Sequence, residues 1–127
     1  MSMENTIILS ALNKTWILDL DGTVVVHNGY QTAGKDALLP GAKEFLDAIP
    51  TGDMIIFLTS RKSDCASLTE QFLAENGIRY HAIVYNAPYG ERILINDRKP
   101  SGLVTAIAVN TERDQFCTTV FRVDEAL

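Results

Sequence analysis

Trp16-Ile17-Leu18-Asp19-Leu20-Asp21-Gly22-Thr23 is the stretch that decides the fold of this 127-residue chain. A short apolar run that breaks into a turn signal predicts a buried strand. Its end carries two carboxylates. Asp19 sits inside the apolar run, where an unpaired carboxylate is costly to bury, so something must compensate it. A divalent cation is the simplest answer, because Mg²⁺ is held by one or two carboxylates together with waters and a substrate phosphate. Such a cation also draws a phosphate up to a carboxylate of like charge, and carboxylates act as nucleophiles through an aspartyl-phosphate. Asp21, two residues on, points the same way at the strand tip. There it can protonate a leaving oxygen and then activate water. Gly22 permits the sharp exit from the strand.

Working outward, Val24 to Leu39 predicts a β-hairpin flap, with Asn28-Gly29 as its turn. A helix opens at Pro40, carries Ala42, Phe45, Leu46 and Ile49 at helical spacing, and stops at Pro50. Met54 to Leu58 is a second apolar strand and ends in Thr59-Ser60-Arg61. Ser63 caps a helix whose face is marked by Cys65, Leu68, Phe72 and Leu73, and Gly77 ends it. Further strands are expected at Ile83 to Tyr85, at Arg92 to Asn96 closing on Asp97, and at Thr105 to Val109. Only Arg98 to Val104 separates the last two. The final strand therefore either runs antiparallel or follows an unusually compact turn. The strand-like tail from Cys117 to Val123 can pair with it as a hairpin. Apolar strands alternating with amphipathic helices predict an α/β domain: one Rossmann-like three-layer unit over residues 1–127, with a mainly parallel sheet covered on both faces. Ligands of such sheets bind at the carboxyl ends of the strands. Asp19 and Asp21, Thr59 to Arg61, and Asn96 to Lys99 are expected to converge there.

Composition bounds the partners. The chain is 46% hydrophobic, which fits a packed globule. Its net charge of −5 gives no bulk attraction for phosphate backbones, so no nucleic-acid partner is expected. No apolar run is long enough to span a membrane, and a cytoplasmic location follows by default. Cys65 and Cys117 form no metal or disulfide pattern and read as small hydrophobes. His27 reads as a surface residue of the flap, His81 as structural and Trp16 as core.

Phosphate chemistry also needs groups that hold the transferring phosphoryl oxygens. Thr59 offers a hydroxyl and backbone N–H groups near a helix start, with Ser60 and Arg61 beside it. Lys99 is the first choice for the balancing cation, with Arg98, Arg61 and Arg92 as substitutes. Asp19-Leu20-Asp21-Gly22-Thr23 after an apolar strand resembles the first motif of the haloacid dehalogenase superfamily. Ile55 to Thr59 resembles its second motif and Ile93-Leu94-Ile95-Asn96-Asp97 its acidic fourth, in the family's order. The resemblance implies a Mg²⁺-dependent phosphatase with Asp19 as nucleophile and Asp21 as acid/base. It also implies a metal held by Asp19, the backbone carbonyl of Asp21, and Asp97. The chain departs from the pattern in having no Lys between Ile78 and Asn96, and in an Asn-Asp pair where many relatives have two acids. No cap insertion separates the motifs, so the chain resembles the capless group. That group includes oligomeric enzymes acting on sugar phosphates, which implies a small phosphorylated substrate and a homo-oligomer. A phospho-acceptor without turnover and a degenerate binding protein with the same fold are the competing readings.

Overall fold

The computed structural model describes residues 5–127. In chain order the strands are β1 (Thr6–Leu9), β2 (Thr15–Leu18), β3 (Met54–Leu58), β4 (Ala82–Val84) and β5 (Val120–Val123). The helices are α1 (Gly29–Thr32), α2 (Ala42–Ala48) and α3 (Ala66–Glu75), the last entered through a 3-10 turn at Ser63–Cys65. The chain divides into two compact units. The larger comprises Asn13–Tyr89 and Thr111–Cys117; the smaller comprises Gly90–Asn110, Thr118–Leu127 and the described residues up to Leu12. The protein is thus a small α/β protein with parallel sheets.

In the larger unit β2, β3 and β4 form a parallel sheet in that order. The register pairs Trp16 with Ile55, Leu18 with Phe57 and Phe57 with Ile83. Because alternate residues of a strand face opposite sides, these five side chains share one face. Ile55 and Phe57 are fully buried, and the cluster around them takes Leu46 and Ala42 from α2, Leu73 from α3, and Leu20, Val24 and Val25 from the loop after β2. Trp16, Phe45 and Phe116 extend it, with Phe45 edge-on to Trp16 and tilted against Phe116. The other face carries Ile17, Met54 and Val84, which are 52%, 43% and 49% exposed. Equal cover on both faces, the three-layer expectation, is therefore not found within this unit: α2 and α3 both supply the cluster on the first face. Asp53 fastens the start of β2, accepting from the Trp16 indole at 3.0 Å and from the Lys14 N–H at 3.1 Å.

The flap is present, but its tip is not a two-residue turn. Val26 N–H donates to Ala37 O and Leu39 N–H to Val24 O, which is an antiparallel pairing. The chain between is the helical turn α1, entered through Asn28 at φ 54°. Asn28 takes the left-handed conformation and Gly29 does not, whereas the tight hairpin turn requires it at two successive residues.

Two expected strands do not form. Residues 92–96 and 105–109 lie in no ladder, and Ile93 and Ile95 are 83% and 90% exposed. A strand needs a neighbour to take its backbone donors and acceptors, and these runs have no ladder partner among the described residues. The segment turns back at Lys99–Leu103 instead, where Lys99 N–H donates to Leu103 O and Gly102 N–H to Lys99 O. The tail strand does form, as β5, but it pairs in parallel with β1, Thr6 opposite Val120 and Leu9 opposite Val123. No strand was expected at β1.

Candidate functional site

At the carboxyl end of β2 the backbone ties itself around one carbonyl. Thr23, Val24 and Val25 N–H all donate to Leu20 O, and Gly22 N–H donates to Val25 O at 2.7 Å. Gly22 holds φ 84° to allow this. Leu20, only 1% exposed, is drawn into the core, which leaves Asp19 and Asp21 on the opposite side. Thr23 Oγ1 donates to Asp19 Oδ2 at 3.1 Å. Asp19, Asp21, Gly22 and Thr23 line an open polar cavity of about 250 Å³, completed by Thr111 and Arg113.

Asp21 is held from behind by Arg61. Its two oxygens accept from Arg61 Nε and Nη2, each at 2.9 Å. The same guanidinium forks onto Asp36 of the flap, Nη2 at 2.6 Å and Nη1 at 3.0 Å, and donates to Thr69 Oγ1 at 2.9 Å. Every one of its five N–H donors is therefore used. The Tyr30 ring stacks on it at 4.2 Å, a cation–π contact. Burial works against the charge on Arg61, but the hydrogen bonds to Asp21 and Asp36 outweigh it, and its pKa is raised above the ordinary value. The Tyr30 hydroxyl is also raised, by burial first and by the Asp21 charge second.

The expected phosphate-binding trio therefore does other work in this conformation. Thr59 is buried; its N–H donates to Val84 O and its hydroxyl oxygen accepts from Arg61 N–H. Ser60 Oγ donates to Pro88 O. Neither residue lines the cavity, and nor does Arg61. Asp19 and Asp21 are brought together as expected. Asp97 and Lys99, with Arg92 and Arg98, belong to the smaller unit, where Asp97 and Lys99 are exposed. His81 is structural, its N–H bonded to Ile55 O and its Nδ1 accepting from Ile55 N–H. His27 differs from its expected surface role: among the described residues its Nδ1 is a buried atom without a hydrogen-bond partner.

The donors around the cavity suit Mg²⁺ in kind, since Asp19, Asp21, Thr23 and Thr111 present only oxygen and Mg²⁺ needs only one or two carboxylates. Among the described residues no three His, Cys, Asp or Glu side chains converge.

No protein-family model matches the chain, and no curated protein matches it. Among solved structures it is similar to a chain of the Pnkp1/Rnl/Hen1 complex, with 31% identity over 65% of this chain and 31% of that one, at a TM-score of 0.51. It is also similar to a chain of the Pnkp1/Rnl/Hen1 RNA repair complex, with 30% identity over 72% of this chain and 30% of that one, again at 0.51. The chain thus spans under a third of the length of the solved chains it matches.

Sequence reasoning missed Asp36, Thr111 and Arg113. Asp36 falls in the flap, with no local signal for a pairing with Arg61 25 residues on. The last two stand in a polar turn, Asn110 to Asp114, with nothing local to place it beside Asp19.

Proposed function

We propose that this chain is a Mg²⁺-dependent phosphomonoesterase of the haloacid dehalogenase type, acting through an Asp19 phosphoenzyme. The observation that carries the proposal is that Asp19 and Asp21 line one polar cavity at the end of β2, with Leu20 buried between them. The order of strand, paired acids, flap, helix and second strand agrees with that family, and its sheet order is part of the same proposal.

In the first half-reaction an Asp19 oxygen attacks phosphorus, the bond to the ester oxygen breaks, and Asp21 gives that oxygen a proton. In the second, water attacks the phosphoryl group and its proton passes to Asp21, releasing phosphate and Asp19. Both Asp21 oxygens accept from Arg61, which fixes the carboxyl group beside the cavity. Each Asp21 oxygen keeps a second lone pair beyond its bond to Arg61, and the proton given in the first half would be carried there. Asp19 and the backbone carbonyl of Asp21 would hold the metal, which when bound would supply positive charge to the phosphoryl oxygens.

The substrate class is a small phosphate ester, such as a sugar phosphate. The likeness to chains of an RNA repair complex favours a second class, a phosphate at the end of an RNA. With a net charge of −5 the contact would be confined to that terminus. The chain should release phosphate from p-nitrophenyl phosphate in Mg²⁺, and Asp19→Asn should abolish release while leaving the circular dichroism spectrum unchanged. Normal turnover by the Asn variant would remove Asp19 from the mechanism. A phosphorylated chain that persists without turnover would favour the phospho-acceptor reading. A panel of sugar phosphates and terminally phosphorylated oligoribonucleotides separates the two substrate classes.

A further inference from the structure

From the segment Thr111–Cys117, which no motif covers, we infer that Arg113 is the cation that receives the substrate's phosphoryl group in the Asp19 cavity. This rests on the phosphatase reading for its chemistry, though not for its geometry.

Arg113 and Thr111 line the cavity together with Asp19, Asp21 and Thr23. Arg61, the nearest alternative in the same unit, has all its donors committed to Asp21, Asp36 and Thr69. Arg113 is exposed and its side chain borders the open space where an anion would sit. An anion beside two carboxylates needs such a counter-charge, and a guanidinium suits phosphate because its planar fork binds two oxygens at once.

The segment is fastened against the Asp19–His27 loop at several points. Asp114 N–H donates to Gly22 O at 2.8 Å, and Asp114 Oδ1 accepts from His27 N–H at 2.7 Å. Asp114 adopts φ 62°, a left-handed conformation that Asp and Asn tolerate better than most residues. The Arg113 stem lies over Gly22: a Cβ there would stand 3.2 Å from Arg113 Cγ and 3.5 Å from His27 Nδ1. Phe116 anchors the far end against Phe45. Gly22 thus serves twice, in turning the chain and in leaving room for Arg113.

The test uses inorganic phosphate as probe, titrated calorimetrically into the full chain in Mg²⁺, beside hydrolysis of p-nitrophenyl phosphate. Arg113→Ala should weaken phosphate binding by about tenfold to a hundredfold, the range for hydrogen bonds to charged groups. It should raise KM by a similar factor, with Arg113→Lys between the two. Lys43→Ala, which removes an exposed pair with Asp47 on α2, should stay within about twofold of wild type on both readouts. Asp114→Gly keeps the backbone conformation and loses the carboxylate, so it should weaken phosphate; Asp114→Asn keeps the acceptor and should restore binding. Phosphate affinity unchanged in Arg113→Ala, or lost in Lys99→Ala instead, overturns the assignment even if the wild type is an active phosphatase. Conversely, Arg113-dependent phosphate binding by a chain that hydrolyses no ester upholds the anion site and discards the phosphatase reading.

Discussion

Arg61 concentrates more interaction in one side chain than any other residue near the cavity. Its guanidinium and the Asp36 carboxylate are each about 2% exposed, and breaking such a buried pair strands an uncompensated charge. Arg61→Ala should therefore destabilise the protein by about 3–5 kcal/mol, read from urea unfolding. Arg61→Lys keeps the charge but has no planar fork, so it should recover only part of the loss and leave Asp21 poorly placed, lowering kcat more than it raises KM. Tyr85 gives a pH-dependent prediction. Burial, and then the Glu70 carboxylate to which it donates at 3.2 Å, push its pKa from 10.0 up to about 12. A folded-state pKa above the unfolded one contributes stability that is complete below pH 10 and disappears as the pH rises towards 12. Tyr85→Phe should accordingly lose less melting temperature than wild type between those two values. At this scale the sequence revealed Asp19 and Asp21, because strand periodicity and a turn signal are local. It did not reveal that Arg61 joins Asp21 to Asp36, because Asp36 lies 25 residues away along the chain.

Among the elements, β3 carries the core and the segment Thr111–Cys117 completes the cavity. Phe57 is fully buried and packs against Tyr80 at 6.0 Å, so Phe57→Ala should cost about 3–5 kcal/mol. Phe116→Ala should cost about 1.5–3 kcal/mol, the scale of an apolar side chain's burial. Unlike Phe57→Ala at equal residual stability, it should also weaken phosphate binding, because it loosens the segment that delivers Arg113. Calorimetry on both variants at one temperature checks the contrast. The strands β2 and β3 and the helices α2 and α3 fall where their apolar spacing puts them, within a residue or two. The flap was legible as a paired excursion but not in its tip. Asn28-Gly29 is compatible with a tight turn and with a helix start, and the pairing of Val26 with Ala37 fixes the wider loop.

Across the whole molecule, regular structure is unevenly shared. The described residues from Glu91 to Thr119 contain no helix or strand, and Ile93, Leu94 and Ile95 are all more than half exposed. Backbone outside ladders and helices is cleaved first by proteases. Limited chymotrypsin digestion should therefore cut near Leu94 before any site in Phe72 or Leu73 of α3, and mass spectrometry of the first products gives the order. No described helix is long and apolar enough to cross a membrane. By itself the sequence determined the α/β class, the strand that presents Asp19 and Asp21, and the helices that pack on β3, because apolar period and turn chemistry act over a few residues. Only the tertiary structure decided that the two chain ends pair as β1 and β5, that 92–96 and 105–109 form no ladder, that Arg61 clamps Asp21 to the flap, and that Arg113 reaches the cavity. Each of these depends on partners far apart in the chain, and a strand or a charge acquires its role only when such a partner is supplied.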